Sequence, residues 1–282
     1  MPELPEVETI IQNLRRGNTE TPSAIGQTFA SVQVLWSKSI VEPKITQFER
    51  QLPDQMIMDI RRRGKFLHFP LSSDHLIIHL RMSGDLSMTN NTKPNGKVKQ
   101  PDPHDRVLFH FQNGWRLAFK DTRKFGRIWL VPDPELVFGN LGPEPLDHNF
   151  TAEDLFMRLS SHKRQLKPLL MDQSFLAGLG NIYTDEALHL AKLHPLRRSN
   201  TISPEEAKIL LNAIRSILKE GIRMNGASID WAYRGGDFQN YFRVYHRTGE
   251  ACPECGTTIE RIKVGQRSTH FCPQCQVLAK HP

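Results

Sequence analysis

The sequence predicts an α+β protein of several domains, and three observations support this fold class. Short stretches in which apolar and polar residues alternate, typical of antiparallel strands, occupy residues 27–131. Beyond residue 147 the apolar residues recur at helical spacing. All four cysteines lie in the last 31 residues as two Cys-x-x-Cys pairs, a pattern that indicates a metal-binding hairpin rather than a disulfide framework.

The first predicted domain, residues 1–135, is an antiparallel β-sandwich with one N-terminal helix. Four apolar residues at helical spacing predict this helix over residues 3–16: Val7, Ile10, Ile11 and Leu14. Asn113-Gly114 is a strong hairpin signal between two of the strands. The polar stretch 90–104 predicts a mobile loop. Examples of the predicted strands are 29–36, 55–60, 65–69, 75–80, 106–111 and 116–119.

A change in composition marks the end of this domain. Residues 132–147 contain four prolines and two glycines, and we place a linker at 136–147. The helical domain then spans 148–240. Ser203-Pro204-Glu205-Glu206 has the cap, proline and acidic residues typical of a helix start. The predicted helices are 152–160, 165–171, 182–192 and 204–224.

The last domain, residues 241–282, contains the cysteines. Sixteen residues separate the two Cys-Pro-x-Cys turns, and two such turns form a closed tetrahedral site for one structural zinc ion. The alternative is four buried thiols without metal. Strands at 258–264 and 269–271 predict a hairpin between the turns, with Arg267 near its tip. The proposed ligands are Cys252, Cys255, Cys272 and Cys275.

The formal net charge is +7, which favours an anionic partner, either a nucleic acid or an acidic membrane surface. Charge alone also allows a basic protein without such a partner. Basic clusters at 61–65, 120–127 and 163–167 suit a phosphate backbone better than a membrane. We find neither a signal peptide nor a transmembrane stretch, so we expect a cytoplasmic protein that does not bind membranes.

The N-terminus begins Met1-Pro2-Glu3. If Met1 is removed, Pro2 presents a secondary amine that can attack a sugar carbon and form an iminium. Glu3 can supply or accept protons in the same step. From helix propensity alone, the same residues simply start a helix.

Eight segments together resemble the formamidopyrimidine-DNA glycosylase family over the whole chain. Each segment alone is a weak signal, but all of them occur in order and at the spacing of the family. They are residues 2–9, 62–67, 79–84, 121–126, 141–146, 172–173, 178–188 and 265–276.

The resemblance implies a bifunctional DNA glycosylase and abasic-site lyase that removes oxidised purines. Pro2 would be the Schiff-base nucleophile and Glu3 the general acid. Lys65 would donate a proton in β-elimination, and Arg267 would serve δ-elimination. Outside this motif, the default interpretation of Lys65 is an ordinary surface lysine at the end of a strand. The resemblance also implies a helix-two-turn-helix fold in the helical domain and a loop at 226–240 that closes over the flipped base.

The same resemblance implies a set of DNA contacts. Met82, Arg123 and Phe125 would fill the gap that base flipping leaves, although Met82 and Phe125 also suit core packing. Asn181 would cap a helix whose free amides bind phosphate, and an ordinary capped helix has the same sequence. The remaining expected DNA contacts are His79, His104, Lys163, Lys167 and Tyr245.

The expected partner is double-stranded DNA that contains oxidised bases or abasic sites. We assume a monomer, because one lesion needs one site. One alternative is an enzyme of the endonuclease VIII type, which prefers oxidised pyrimidines; Leu4 and the Met82, Arg123 and Phe125 set favour the purine enzyme. The other alternative is a zinc-ribbon DNA-binding protein without catalysis.

Overall fold

The computed structural model describes residues 1–91, 99–228 and 235–278. It divides into two compact units. The first contains residues 1–2 and 6–139, with Ser228 and Gly235, and the second contains residues 3–5, 140–227 and 236–278. The predicted polar loop at 90–104 and the predicted base-closing loop at 226–240 are described only in part, because residues 92–98 and 229–234 lie outside the described ranges.

The first unit is a sandwich of two sheets, as the sequence predicts. One sheet has the order β1-β7-β8-β6, and the other has the order β2-β9-β5-β4-β3. Every pairing is antiparallel except that of β2 with β9. The strands are β1 (Phe29–Val34), β2 (Ile40–Glu42), β3 (Arg61–Arg63), β4 (Phe66–Pro70), β5 (His75–His79), β6 (Gly84–Asn90), β7 (Asp105–Phe111), β8 (Trp115–Asp121) and β9 (Arg127–Val131).

The core of this unit lies between the sheets and helix α1 (Leu4–Arg16). Alternate residues of the strands, such as Phe69 on β4 and Phe119 on β8, point inward and are fully buried. Val7 and Ile11 bury the apolar face of α1 in the same core. The predicted amphipathic helix is therefore present, and it begins one residue later than expected.

The structure differs from the sequence prediction in several elements of this unit. The strand predicted at residues 55–60 is absent. This segment makes only isolated bridges, from Met56 to Thr28 and from Ile57 to Leu71. Two short helices were not predicted, α2 (Ile45–Gln51) and α3 (Glu135–Phe138). Strands β2, β3, β6 and β9 were not named from the sequence. Strands β2 and β3 have only three residues each, and β6 is rich in polar residues.

The second unit is helical and ends in a β-hairpin. Its helices are α4 (Ala152–Ser160), α5 (Leu166–Leu170), α6 (Asn181–Leu190) and α7 (Pro204–Arg223). Ser203 caps α7 with a complete capping box, as the sequence predicts. The hairpin consists of β10 (Glu260–Val264) and β11 (Arg267–Phe271). Both turn residues, Gly265 and Gln266, have positive φ, which a two-residue hairpin turn of this kind requires.

Among the helices of the described ranges, none combines the length and the apolar character that crossing a membrane requires.

Candidate functional site

The carboxylate of Glu3 is fixed at the first turn of α6. Its two oxygens accept hydrogen bonds from the backbone amides of Ile182, at 2.9 Å, and Tyr183, at 3.4 Å. Glu3 is 2% exposed. A carboxylate at a helix N-terminus satisfies amides that lack a partner within the helix and also benefits from the helix dipole. The carboxylate is thus held in one position.

Two glycines allow the loop before α6 to lie against residues 3 and 4 at very short distances. A Cβ on Gly180 would lie 2.3 Å from the Glu3 carboxyl carbon. A Cβ on Gly178 would lie 2.5 Å from Leu4 Cδ1, and the Leu4 amide donates to the Gly178 carbonyl at 3.2 Å. These distances are shorter than any van der Waals contact, so the glycines at 178 and 180 are required by the position of residues 3 and 4.

The side chain of Gln173 braces the loop between α5 and α6. It accepts from the Gly178 amide at 3.0 Å and donates to the carbonyls of Met171, at 2.8 Å, and Leu179, at 2.9 Å. These bonds fix both ends of the loop, and the loop in turn positions the N-terminus of α6 beside Glu3.

The structure corrects one detail of the predicted phosphate site. Gly180, not Asn181, is the N-cap of α6, and Asn181 is its first helical residue. The amides of Ile182 and Tyr183 are occupied by Glu3. Asn181 instead donates from Nδ2 to the hydroxyl of Tyr245 at 3.4 Å, and its Oδ1 is buried without a partner. Two of the predicted DNA contacts are therefore neighbours.

The backbone around Tyr245 is held in place by Glu186, a buried residue of α6. The carboxylate of Glu186, which is fully buried, accepts the backbone amides of Arg243, Val244 and Tyr245 at 2.8 to 2.9 Å. Burial raises the pKa of Glu186, and the three amide bonds oppose that rise.

Lys167 lies in the interior, and not on the surface where a phosphate contact would need it. Its ammonium pairs with Asp185 at 2.6 Å and donates to the Ser268 carbonyl at 3.0 Å. Burial lowers the pKa of Lys167, while Asp185 and, more weakly, Glu3 act in the opposite direction. A direct contact between Lys167 and phosphate stays a prediction. In the folded protein, its ion pair with Asp185 stabilises the contact between α6 and the hairpin.

Asp185 also joins α6 to the hairpin that contains Arg267. Its second oxygen accepts the backbone amide of His270 at 2.9 Å. Arg267 is exposed and is the first residue of β11, directly after the turn. Its charge acts on Lys167, as does the charge of Glu3. The second unit therefore brings the predicted residues Glu3, Lys167 and Arg267 into one electrostatic neighbourhood.

In the first unit, Pro2 is buried and Met1 is 36% exposed. Lys65 is also buried, directly before β4. Its neighbour Phe66 pairs with His79 across the sheet, and the charges of Arg81 and Lys65 act on the His79 ring. Lys65 and His79, both predicted to contact phosphate, thus lie at the same end of the sheet.

His79 is held as a neutral ring. Burial lowers its pKa to about 3, and the charges of Arg81 and Lys65 add to this effect. The ring accepts the Arg81 amide at Nδ1, at 3.0 Å. Its proton is therefore on Nε2, which can donate to a phosphate oxygen without a charge on the ring.

The predicted gap-filling residues lie on two loops at one end of the sandwich. Met82 lies between β5 and β6, and Arg123 and Phe125 lie between β8 and β9. Phe125 is 46% exposed, and the Arg123 guanidinium lies 5.2 Å from the centre of its ring. An aromatic ring this exposed does not serve core packing, so the core alternative is wrong for Phe125.

The other predicted contacts are at the surface. His104 is exposed, and its carbonyl accepts the Asp121 amide at 2.9 Å. Lys163 is exposed as well. The sequence analysis assigned no individual role to Arg81 or Arg127, whose positive charges act on each other in the folded protein. Burial lowers the pKa of Arg81, and the charge of Arg127 lowers it further. Only the pairing of β5 with β9 brings these two arginines together.

The four cysteines form a preformed metal site. Their sulfur atoms all lie within 4.8 Å of one another, with Cys255 to Cys272 at 3.5 Å and Cys252 to Cys275 at 3.9 Å. A tetrahedral zinc ion with bonds of about 2.3 Å needs sulfur atoms about 3.8 Å apart. The residues fit one zinc ion with four thiolate ligands.

Three family models match consecutive parts of the chain. They are described as the formamidopyrimidine-DNA glycosylase N-terminal domain, over residues 1–128, the formamidopyrimidine-DNA glycosylase H2TH domain, over residues 141–232, and a zinc finger found in FPG and IleRS, over residues 249–277. The chain belongs to the formamidopyrimidine-DNA glycosylase family. It is therefore a DNA repair glycosylase, and the four cysteines are the ligands of a structural zinc ion in the zinc finger of the family.

Relatives with this family name match over nearly their full length. The chain is 43% identical to the formamidopyrimidine-DNA glycosylase of Protochlamydia amoebophila, covering 98% of this chain and 99% of the relative. It is 45% identical to that of Pediococcus pentosaceus, covering 99% and 100%. A solved Lactococcus lactis Fpg mutant in complex with Fapy-dG containing DNA matches with a TM-score of 0.88 and 35% identity, covering 98% and 100%.

Proposed function

We propose that this glycosylase removes oxidised purines, 8-oxoguanine and formamidopyrimidines, from double-stranded DNA and then cleaves the abasic site. The observation that supports this most is the position of Glu3, fixed by the Ile182 amide directly after Pro2. A nucleophile at the N-terminus needs a proton donor of fixed position beside it. Related structures contain Fapy-dG, carbocyclic 8-oxo-G or an abasic site in the bound DNA.

The proposed reaction begins once Met1 has been removed. The Pro2 nitrogen forms a bond to C1′ of the sugar while the bond from C1′ to the base breaks. The departing base takes up a proton from solvent. The Pro2 nitrogen loses its own proton to the Glu3 carboxylate, its lone pair then opens the sugar ring, Glu3 passes that proton to the ring oxygen, and an iminium remains. Loss of a proton from C2′ expels the 3′ phosphate, and loss of a second proton, from C4′, expels the 5′ phosphate. Water then hydrolyses the remaining iminium, which releases the sugar remnant and frees Pro2.

The remaining predicted residues complete this proposal. Lys65 serves the first elimination and Arg267 the second, and the product is a one-nucleoside gap with phosphates at both ends. The expected DNA contacts are His79, Met82, His104, Arg123, Phe125, Lys163, Asn181 and Tyr245. Lys167, which is paired with Asp185, supports this surface from the interior. The zinc ion holds the hairpin of Arg267 in place and takes no part in the chemistry, because protein thiolates occupy all four ligand positions.

The organisation of the chain is part of the proposal. We propose a sandwich domain at 1–135, a linker at 136–147, a helix-two-turn-helix domain at 148–240 and a zinc finger at 241–282. A monomer is sufficient, because one chain contains every residue of the proposed site. Zinc-bound thiolates suit a reducing compartment, which supports a cytoplasmic location.

Single-turnover excision tests the proposal. Duplexes would carry 8-oxoguanine, formamidopyrimidine or an oxidised pyrimidine, and the products would be separated by length. We expect faster cleavage of both purine lesions and phosphates at both ends of the gap. Arg267→Ala should stop after the first elimination, whereas Arg261→Ala on the neighbouring strand should not. Faster cleavage of the pyrimidine lesion would favour an enzyme of the endonuclease VIII type, and binding without cleavage would favour a DNA-binding protein.

A further inference from the structure

Two loops that are distant in sequence are joined by one buried pair of side chains. The hydroxyl of Ser83 donates to Oδ1 of Asp121. Ser83 is 7% exposed and Asp121 is fully buried. Ser83 directly follows Met82, and Asp121 precedes Arg123 by two residues.

The fold brings these loops to the same end of the sandwich. Gly84 pairs with Asp121 at the end of one sheet, and His79 pairs with Arg127 at the end of the other. Residues 80–83 and 122–126 therefore both cross from one sheet to the other at this end. Strand pairing places the loops near each other, but it does not fix their conformations.

The buried pair supplies the missing restraint. The Arg123 amide donates to Ser83 Oγ at 2.9 Å, and the Gly126 amide donates to Asp121 Oδ2 at 2.7 Å. The Arg123 amide also lies 3.2 Å from Asp121 Oδ1, so the carboxylate of Asp121 binds both ends of the loop that contains Phe125. Hydrogen bonds to a buried carboxylate are charge-assisted and stronger than neutral ones.

Two further contacts hold the second loop. A Cβ on Gly126 would lie 2.2 Å from Phe119 Cζ, so the loop returns to the core in close contact. Lys124, at φ +62°, places its ammonium 4.1 Å from the centre of the Trp36 ring. The neighbours of Phe125 on both sides are anchored, while Phe125 itself remains exposed.

We propose that Ser83 and Asp121 are positioning residues, which hold Met82, Arg123 and Phe125 in one arrangement for insertion into the gap left by the flipped base. This inference rests on the proposed function, because it assumes that these three residues enter the duplex. Both residues are buried, so the proposed role is exerted through the two loops and requires no contact of their own with DNA. Preorganisation of this kind lowers the entropy that insertion costs.

The test compares two duplexes. In one, 8-oxoguanine is opposite cytosine; in the other, it is opposite an abasic position, where Arg123 has no orphaned base to contact. Ser83→Ala should slow single-turnover excision about tenfold in the first duplex, as expected for the loss of bonds to a charged group. It should slow excision clearly less in the second duplex, where Arg123 has no contact to lose. Ser83→Thr restores the hydroxyl and should recover the rate.

Ser87→Ala on β6 is the matched control, and thermal unfolding confirms that each variant is folded. Equal slowing on both duplexes would mean a general structural defect and would overturn the inference. So would an unchanged rate on both duplexes in Ser83→Ala. If the unmodified protein excises the lesion from neither duplex, the proposed function fails instead, and the two failures are thus distinguishable.

Discussion

The carboxylate of Glu3 accepts the backbone amide of Ile182, 179 residues further along the chain, at a distance of 2.9 Å. This bond links the N-terminus, where the proposed nucleophile lies, to the helix that also contains Asn181 and Asp185. Because a peptide bond joins Pro2 directly to Glu3, any displacement of Glu3 also changes the surroundings of Pro2.

Gly180→Ala should therefore act like the loss of Glu3. The added methyl would overlap the Glu3 carboxyl group and displace the proposed proton donor. We expect base excision to slow about 100-fold, the low end of a general acid's contribution, while affinity for DNA changes little. Glu3→Gln should show a similar loss. Ser216→Ala, at an exposed position of α7, is the control, and full activity of Gly180→Ala would contradict this view of Glu3.

The buried neutral state of His79 predicts a pH dependence of stability. Its pKa is about 3 in the folded protein and near 6.5 in the unfolded chain. Below pH 6.5 only the unfolded chain binds the proton, so stability is lost as pH falls from 6.5 towards 3, by about 1.4 kcal/mol per pH unit. His79→Asn keeps an acceptor for the Arg81 amide and removes this titration.

Urea unfolding at pH 7 and pH 5 measures the effect. The loss of unfolding free energy between these values should be smaller in His79→Asn by about 2 kcal/mol. His148→Asn, at a residue whose side chain is 91% exposed, should behave like the unmodified protein. An identical loss in His79→Asn would show that the ring is protonated in the folded state.

A hydrogen bond from His189 to one of the zinc ligands, Cys252, is expected to slow the release of the metal. His189 on α6 is buried, and its Nε2 lies 3.4 Å from Cys252 Sγ. A donor to a ligand atom fixes that ligand, and removing one typically weakens metal affinity 10- to 100-fold. His189→Phe preserves the packing and removes the donor.

Zinc transfer to a coloured chelator measures this prediction, with no need for an activity assay. We expect His189→Phe to release zinc at least about 10-fold faster, and His148→Phe to release it at the original rate. Equal release from all three proteins would mean that the contact does not support the metal site.

The salt dependence of DNA binding separates surface cations from buried ones. Each cation that neutralises a phosphate contributes about 0.9 to the slope of log affinity against log salt. Lys163→Ala and Arg267→Ala should each reduce the slope by about this amount. Lys167→Met should not, because its ammonium is paired with Asp185. A slope reduced as much by Lys167→Met would restore Lys167 as a phosphate contact.

Sequence periodicity was sufficient for the elements with a strong pattern. Helix α1 and helix α7 were predicted within one residue at each end, because an apolar face and a capping box mark them. Strand β6 was missed, since its apolar alternation is limited to two residues, Leu86 and Met88, among polar ones. The stretch at 55–60 has the alternation of a strand but lacks a partner strand along its length.

The site shows the same limit. Motifs identified Glu3 and Lys167, but they could not show that Glu3 occupies the amides of α6 or that Lys167 is buried against Asp185. Both facts depend on residues that are adjacent only after folding. The pairing of Ser83 with Asp121, 38 residues apart, likewise has no local sequence signal.

The most direct test of the account is to trap the covalent intermediate at Pro2. The purified protein would be incubated with duplex DNA that contains 8-oxoguanine opposite cytosine, reduced with borohydride, and mapped by mass spectrometry. We predict a stable crosslink on the Pro2 nitrogen, which is lost in Pro2→Gly and in protein that retains Met1. Tight binding without a crosslink, or a crosslink on any other residue, would contradict the proposed nucleophile.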